Sequence, residues 1–137
     1  MGGSYCNNVG GKVIDKLKFL SLYKFSIAME NSDSDGYASE KIIDSFNSGT
    51  IPIYYGDYII DEYINPKSFI LVKGDKDAKK KIEYIKEIDN DDKKYRNLLM
   101  ENAIINNDIS NKIDKELKKF LFHIFEQEKE KAYRSNI

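Results

Sequence analysis

The chain reads as an α/β domain in which parallel strands are covered by helices. Short apolar runs at residues 24–29, 51–55 and 68–72 alternate with amphipathic helical segments, the order expected of consecutive βαβ units. Each run is compact and stops abruptly at polar or turn-forming residues, as a buried strand does. A length of 137 residues (15.9 kDa) suits one ordinary domain, which buries roughly two-thirds of the surface that its unfolded chain exposes.

Residues 1–11 carry Gly2, Gly3, Gly10 and Gly11 beside Asn7 and Asn8 and read as a loop. Val13, Leu17 and Leu20 predict a short amphipathic helix over 12–22. The run Lys24-Phe25-Ser26-Ile27-Ala28-Met29 is the first strand, and 30–36 is a loop rich in turn formers. Ser39 is placed to cap a helix over 40–47 with Ile42, Ile43 and Phe46 turned inward and Gly49 as its stop. The second strand, 51–55, tolerates Pro52 near its start better than in its middle. Gly56-Asp57 breaks the chain before a short helix over 58–63, and Asn65-Pro66 turns into the third strand.

The rest is helical: 77–88, 92–102, and a last helix with Leu117, Phe120, Leu121, Ile124 and Phe125 at i, i+3, i+4, i+7 and i+8. That stripe predicts a helical extension, residues 106–137, packed on a domain spanning 1–105.

Composition narrows the function. With 41% hydrophobic and 33% charged residues the chain is not a disordered polymer. The formal net charge is −1, so a phosphate-neutralising nucleic-acid surface is not indicated. No run of 18 apolar residues predicts a membrane span, and Met1-Gly2-Gly3-Ser4 lacks the basic and apolar regions of a signal peptide. A single cysteine, Cys6, excludes an internal disulfide, and there is no Asn-x-Ser/Thr sequon; a reducing compartment is expected. His123, the only histidine, reads as structural or surface, and no His/Cys spacing suggests zinc. Asp33-Ser34-Asp35-Gly36 opens like a calcium loop, but Asp44 stands where the bidentate Glu is required.

Chemistry is expected past the carboxyl end of the first strand, where open α/β sheets bind ligands. The loop there leads into a helix start, whose unpaired N–H groups and partial positive charge suit a phosphate. Lys41, in the first helical turn, runs against the dipole unless an anion lies beside it. Glu40 suits the helix start on electrostatic grounds alone, or accepts hydrogen bonds from sugar hydroxyls. Asn31 is a turn residue or a ligand contact, and Tyr37 either packs beneath the helix or stacks on a ligand. From the residues alone the reading stops at part of an α/β nucleotide-binding domain.

Motifs carry it further. Tyr23-Lys24-Phe25-Ser26-Ile27-Ala28-Met29-Glu30-Asn31-Ser32, followed by Asp35-Gly36-Tyr37-Ala38-Ser39-Glu40-Lys41, resembles the donor-binding signature of the α-1,3/1,4-fucosyltransferases, glycosyltransferase family 10. Gly49-Thr50-Ile51-Pro52-Ile53-Tyr54-Tyr55-Gly56 and Asn65-Pro66-Lys67-Ser68-Phe69-Ile70 resemble two further motifs of that family, in the same order. Met29, Ala38 and Tyr55 depart mildly from the family pattern, which more often has Phe, Val or Ile, and Trp there.

The resemblance implies the C-terminal, donor-binding half of a GT-B enzyme. Such an enzyme transfers fucose from GDP-fucose to a glycan acceptor, most often in α-1,3 linkage, with inversion. It implies that Lys41 stabilises the departing diphosphate, and that Glu40 holds the ribose or the cation-like sugar. Asn31 and Tyr37 would contact the nucleotide-sugar. Glu40 and Lys41 are thus the catalytic candidates; no metal or other cofactor is expected, since GT-B enzymes generally hold the diphosphate without one. The acceptor site and general base belong to an N-terminal domain outside this sequence, so transfer by the isolated chain is not expected. The alternative is a GDP-sugar-binding fragment that never catalyses alone. A bacterial cytoplasmic enzyme, peripheral at the inner membrane and acting on lipopolysaccharide-type precursors, is the implied setting.

Overall fold

A computed structural model describes residues 13–32, 34–105 and 109–128. The chain divides into two compact units, Met1–Ala103 and Ile104–Ile137. The glycine-rich start, with Cys6, lies outside the described residues.

In the first unit, helix α1 (Lys16–Leu20) precedes strand β1 (Phe25–Met29), helix α2 (Glu40–Asn47) and strand β2 (Ile51–Tyr55). Strand β3 (Ile70–Leu71) and helices α3 (Asp75–Asp89) and α4 (Asp92–Leu99) follow. The strands form a parallel sheet in the order β1-β2-β3, with Phe25 opposite Ile51 and Ile53 opposite Ile70. The parallel α/β architecture is therefore as expected.

The helix after β1 runs from Glu40 to Asn47 as predicted, and it stops for a visible reason. Gly49, at φ 71°, donates its N–H to Phe46 O, and the Thr50 N–H donates to Ser45 O. This pair of bonds is the Schellman closure, which a residue with a Cβ adopts only with strain. Ile42 is buried on this helix, but Ile43 is 48% exposed, against expectation. At 100° per residue the inward face passes through Ile42, Ser45 and Phe46, and Ile43 falls outside it.

Other elements are shorter than their patterns suggest. Asp15 caps α1 by accepting the Lys18 N–H, so the helix starts there. The segment expected as a helix over 58–63 is one 3-10 turn, Ile60–Glu62. Ser68 is used in the turn before β3, donating its N–H and hydroxyl to Asn65 O, so that strand begins later. Helix α4 ends at Leu99 because the chain then pairs with Asn65, whose N–H donates to Ala103 O. Pro52 lies inside β2, where the missing N–H faces the β3 side before that pairing begins.

The sheet is packed on both faces. Ala28, Tyr54, Phe69 and Ile60 meet Ile42 of α2 on one face; Ile51 and Ile70 meet Ile88 of α3 on the other. Phe25 packs edge-on against Tyr95 at 6.0 Å on that second face. Toward the end of β1 this cover gives out, leaving Ile27 75% exposed.

The second unit holds helix α5 (Ile109–Phe125), which carries the stripe read from Leu117 to Phe125. No helix among the described residues is long and apolar enough to cross a membrane.

Candidate functional site

Strand alternation sets up the site. Ser26 and Ala28 of β1 point to the α2 face, and the residue two further on, Glu30, follows them inward. The Glu30 N–H donates to Tyr55 O at 2.8 Å, extending the pairing with β2 by one bond. Its side chain is wholly shielded from solvent. A carboxylate so placed needs partners for its charge.

It has three. Ser39 donates its N–H to Oε1 at 2.8 Å and its hydroxyl to Oε2 at 2.7 Å. Lys41 Nζ donates to the same Oε2 at 2.8 Å and to Ser39 Oγ at 3.0 Å. Burial pushes the Glu30 carboxyl up, but the bonds from Lys41 and Ser39 outweigh it and hold the group below its usual value. The Glu30 hydrogen bond is the main cause that raises the Lys41 ammonium, against opposing desolvation. Both groups are charged at neutral pH.

This corrects the expectation for Ser39. It stands at the N-cap position of α2, yet its side chain makes no capping bond, because its hydroxyl is turned to donate to Glu30 and accept from Lys41 Nζ. It also answers the question Lys41 posed: the anion beside this cation is internal, and it is Glu30.

The loop between Glu30 and α2 is tied from a second side. Asp57, 2% exposed, accepts the Gly36 N–H at 3.0 Å and the Ile59 N–H at 3.0 Å through one oxygen. Its own N–H donates to the buried Tyr54 hydroxyl at 3.2 Å. The adjoining Gly36 is at φ 77°, and Tyr37 N–H closes the turn on Ser34 O. Gly56 fits against the acid: a Cβ there would stand 2.5 Å from Glu30 Cγ and 3.0 Å from the Tyr54 hydroxyl.

The four residues singled out from sequence lie along this one stretch. Lys41 is partly buried and fixed. Asn31, Tyr37 and Glu40 are exposed, and Glu40 is the first residue of α2. Glu40 and Tyr37 both act on the Lys41 charge electrostatically. Glu30, Asp57 and Gly56 were not singled out by the residue-level reading. The signal for Glu30 was the period-two alternation of β1, continued by one step.

Parallel strands joined through covering helices, with a cation held at a helix start at their carboxyl ends, form a Rossmann-like α/β unit. Comparison with known proteins makes the assignment specific. The chain belongs to glycosyltransferase family 10, the fucosyltransferases, whose C-terminal region matches residues 4–100. It is 43% identical over 103 residues to the alpha-(1,3)-fucosyltransferase FucT of Helicobacter pylori, covering 75% of this chain and 22% of that protein. It is 35% identical over 109 residues to alpha-(1,3)-fucosyltransferase B of Drosophila melanogaster, covering 79% and 24%. A crystal structure of an alpha1,3-fucosyltransferase with GDP-fucose superimposes with a TM-score of 0.71 at 42% identity, over 78% of this chain and 32% of that one. The chain thus spans less than a third of the relatives it matches.

Proposed function

We propose that this chain is the donor-binding part of a fucosyltransferase that transfers L-fucose from GDP-fucose to a glycan, with inversion and in α-1,3 linkage. The observation that carries the reading is Lys41, held as a cation at the start of α2 in a chain 42% identical to an alpha1,3-fucosyltransferase crystallised with GDP-fucose. Breaking the fucosyl–phosphate bond leaves negative charge on GDP. A preorganised ammonium and helix N–H groups stabilise that charge as it develops.

In this reading Lys41 faces the diphosphate, and Glu40 takes the ribose hydroxyls or the cation-like sugar. Tyr37 and Asn31, exposed on the same loop, contact the nucleotide-sugar. Acceptor recognition and the general base are assigned to the N-terminal domain of the family. A bacterial setting is supported by the likeness to the Helicobacter pylori protein; a cytoplasmic site, peripheral to the inner membrane, and a lipopolysaccharide-type acceptor are part of the proposal.

The test is calorimetric titration of the purified chain with GDP and GDP-fucose, beside a transfer assay. Binding without transfer is the expected result. Absence of binding to either nucleotide, or robust transfer by residues 1–137 alone, would overturn it.

A further inference from the structure

We infer that Glu30 is a positioning residue: its buried carboxylate fixes the Lys41 ammonium so that one of its N–H donors is aimed out of the site toward a diphosphate. The inference rests on the reading of Lys41 as the diphosphate contact, and adds to it the device that holds the lysine in place.

The geometry supports each step. An ammonium has three donors. Two are occupied, by Glu30 Oε2 at 2.8 Å and Ser39 Oγ at 3.0 Å. The Lys41 side chain remains 27% exposed, so the third donor is left for a ligand or water. A free lysine side chain carries large rotamer entropy, and a ligand that had to order it would bind more weakly. Here that ordering is already done, because the carboxylate is itself immobile. It is completely enclosed, tied twice by Ser39, and backed by Gly56, where even a methyl group would collide with it.

Surface ion pairs rarely organise anything. This one differs because one member is buried on rigid β-structure, and loss of its partner is costly. The same three residues also shape the helix start. The Ser39 N–H and hydroxyl are taken by Glu30, so the remaining free N–H groups of the first turn of α2 stay available to the same ligand. Glu30 therefore sets both the cation and the helix terminus of one anion site.

The test is trace acetylation of lysines in the folded chain, read residue by residue by mass spectrometry, with and without GDP. In the wild type, Lys41 should react several-fold more slowly than exposed lysines such as Lys76, and GDP should slow it further. Glu30→Gln preserves shape and the Ser39 N–H bond, but puts an amide NH₂ where Oε2 stood. Lys41 should then be released and acetylate about tenfold faster, with GDP affinity down by about tenfold, on the scale of one charge-assisted hydrogen bond. Far-ultraviolet circular dichroism should stay unchanged. Gly56→Ala displaces the carboxylate without altering charge, and should reproduce the faster labelling if Glu30→Gln does not fold. Equal Lys41 labelling in wild type and both variants overturns the positioning role. Faster labelling in the variants, with no GDP effect on wild-type Lys41, instead overturns the diphosphate reading on which that role depends.

Discussion

The Asp57 carboxylate accepts the Gly36 amide at 3.0 Å and so joins the end of β2 to the loop that follows β1, across 21 positions of sequence. The same oxygen accepts the Ile59 amide. Loop and turn are thus held by one buried acceptor, and Tyr37 rides on the held loop.

Removing that acceptor should therefore loosen the site from a distance. Asp57→Ala leaves two N–H groups without their partner and should cost about 1–3 kcal/mol. It should also lower GDP affinity, because Tyr37 and the start of α2 lose their fixed spacing. Asp57→Asn keeps a carbonyl oxygen at the acceptor position and should cost much less. Urea denaturation of the three proteins checks the order; an Asn variant as unstable as the Ala variant would show that the charge, not the acceptor, holds the loop.

How much of this was legible beforehand differs by element. Helix α2 was readable at both ends, since Ser39 and Gly49 mark its limits and Ile42 and Phe46 mark its face. The strands were readable as apolar runs, although the turn at Asn65 took Ser68 out of β3. The site was half legible. Asn31, Tyr37, Glu40 and Lys41 stood out by residue type and by the fucosyltransferase motif, but the groups that hold them did not. Glu30 looks like the first residue of a polar loop, and only strand pairing carried one residue further turns it inward. Asp57 looks like a chain breaker beside Gly56. Its role depends on a loop 21 residues away, which no local pattern encodes.

The ion pair between Glu30 and Lys41 sets a pH window. The Glu30 carboxyl is held below its ordinary value of 4.5. Its contribution to stability is present above that value and is lost as pH falls through the lower folded one. Lys41 is raised above its ordinary 10.5, so its contribution is full below that pH and is lost as pH rises through the higher folded value. Burial likewise pushes the Tyr54 hydroxyl above 10.0, which adds to the loss on the alkaline side. Stability should be flat from about pH 5 to pH 10 as far as these groups decide it. Thermal unfolding across pH should show Glu30→Gln with a shallower acid limb than wild type. Identical acid limbs would mean that Glu30 is not ionised in the folded chain.

A different surface is where copies of this chain should associate. Ile27 and Met29 stand exposed on the edge strand of the sheet, at 75% and 56%. Among the described residues β1 ends the sheet, and an apolar face left open beside it invites association between copies. Light scattering of the purified chain should show concentration-dependent association. Ile27→Lys should reduce it with little change in melting temperature, because an exposed side chain contributes little to the core. A wild-type chain that stays monomeric at high concentration, with a sharp, high melting transition, would remove this face from consideration.

The strongest test of the site itself uses Lys41 and Glu40 in an enzyme that joins this domain to the acceptor domain of a family member. If Lys41 meets charge that grows as GDP leaves, Lys41→Ala should lower kcat more than it raises the donor KM, the pattern of an interaction made mainly in the transition state. A charge-assisted contact in a water-poor cleft corresponds to about 2–4 kcal/mol, or roughly 10²–10³ in rate. Lys41→Arg should rescue only in part, since Lys41 reaches Glu30 Oε2 and Ser39 Oγ as a compact point charge, which a planar guanidinium does not reproduce. Glu40→Gln separates the two roles open to that residue. An acid that serves only the helix dipole costs a few tenths of a kcal/mol in stability and leaves turnover intact. An acid that holds the ribose or the developing cation loses activity while the melting temperature hardly moves. Near-wild-type turnover in both Lys41→Ala and Glu40→Gln enzymes would place the donor site elsewhere on the chain.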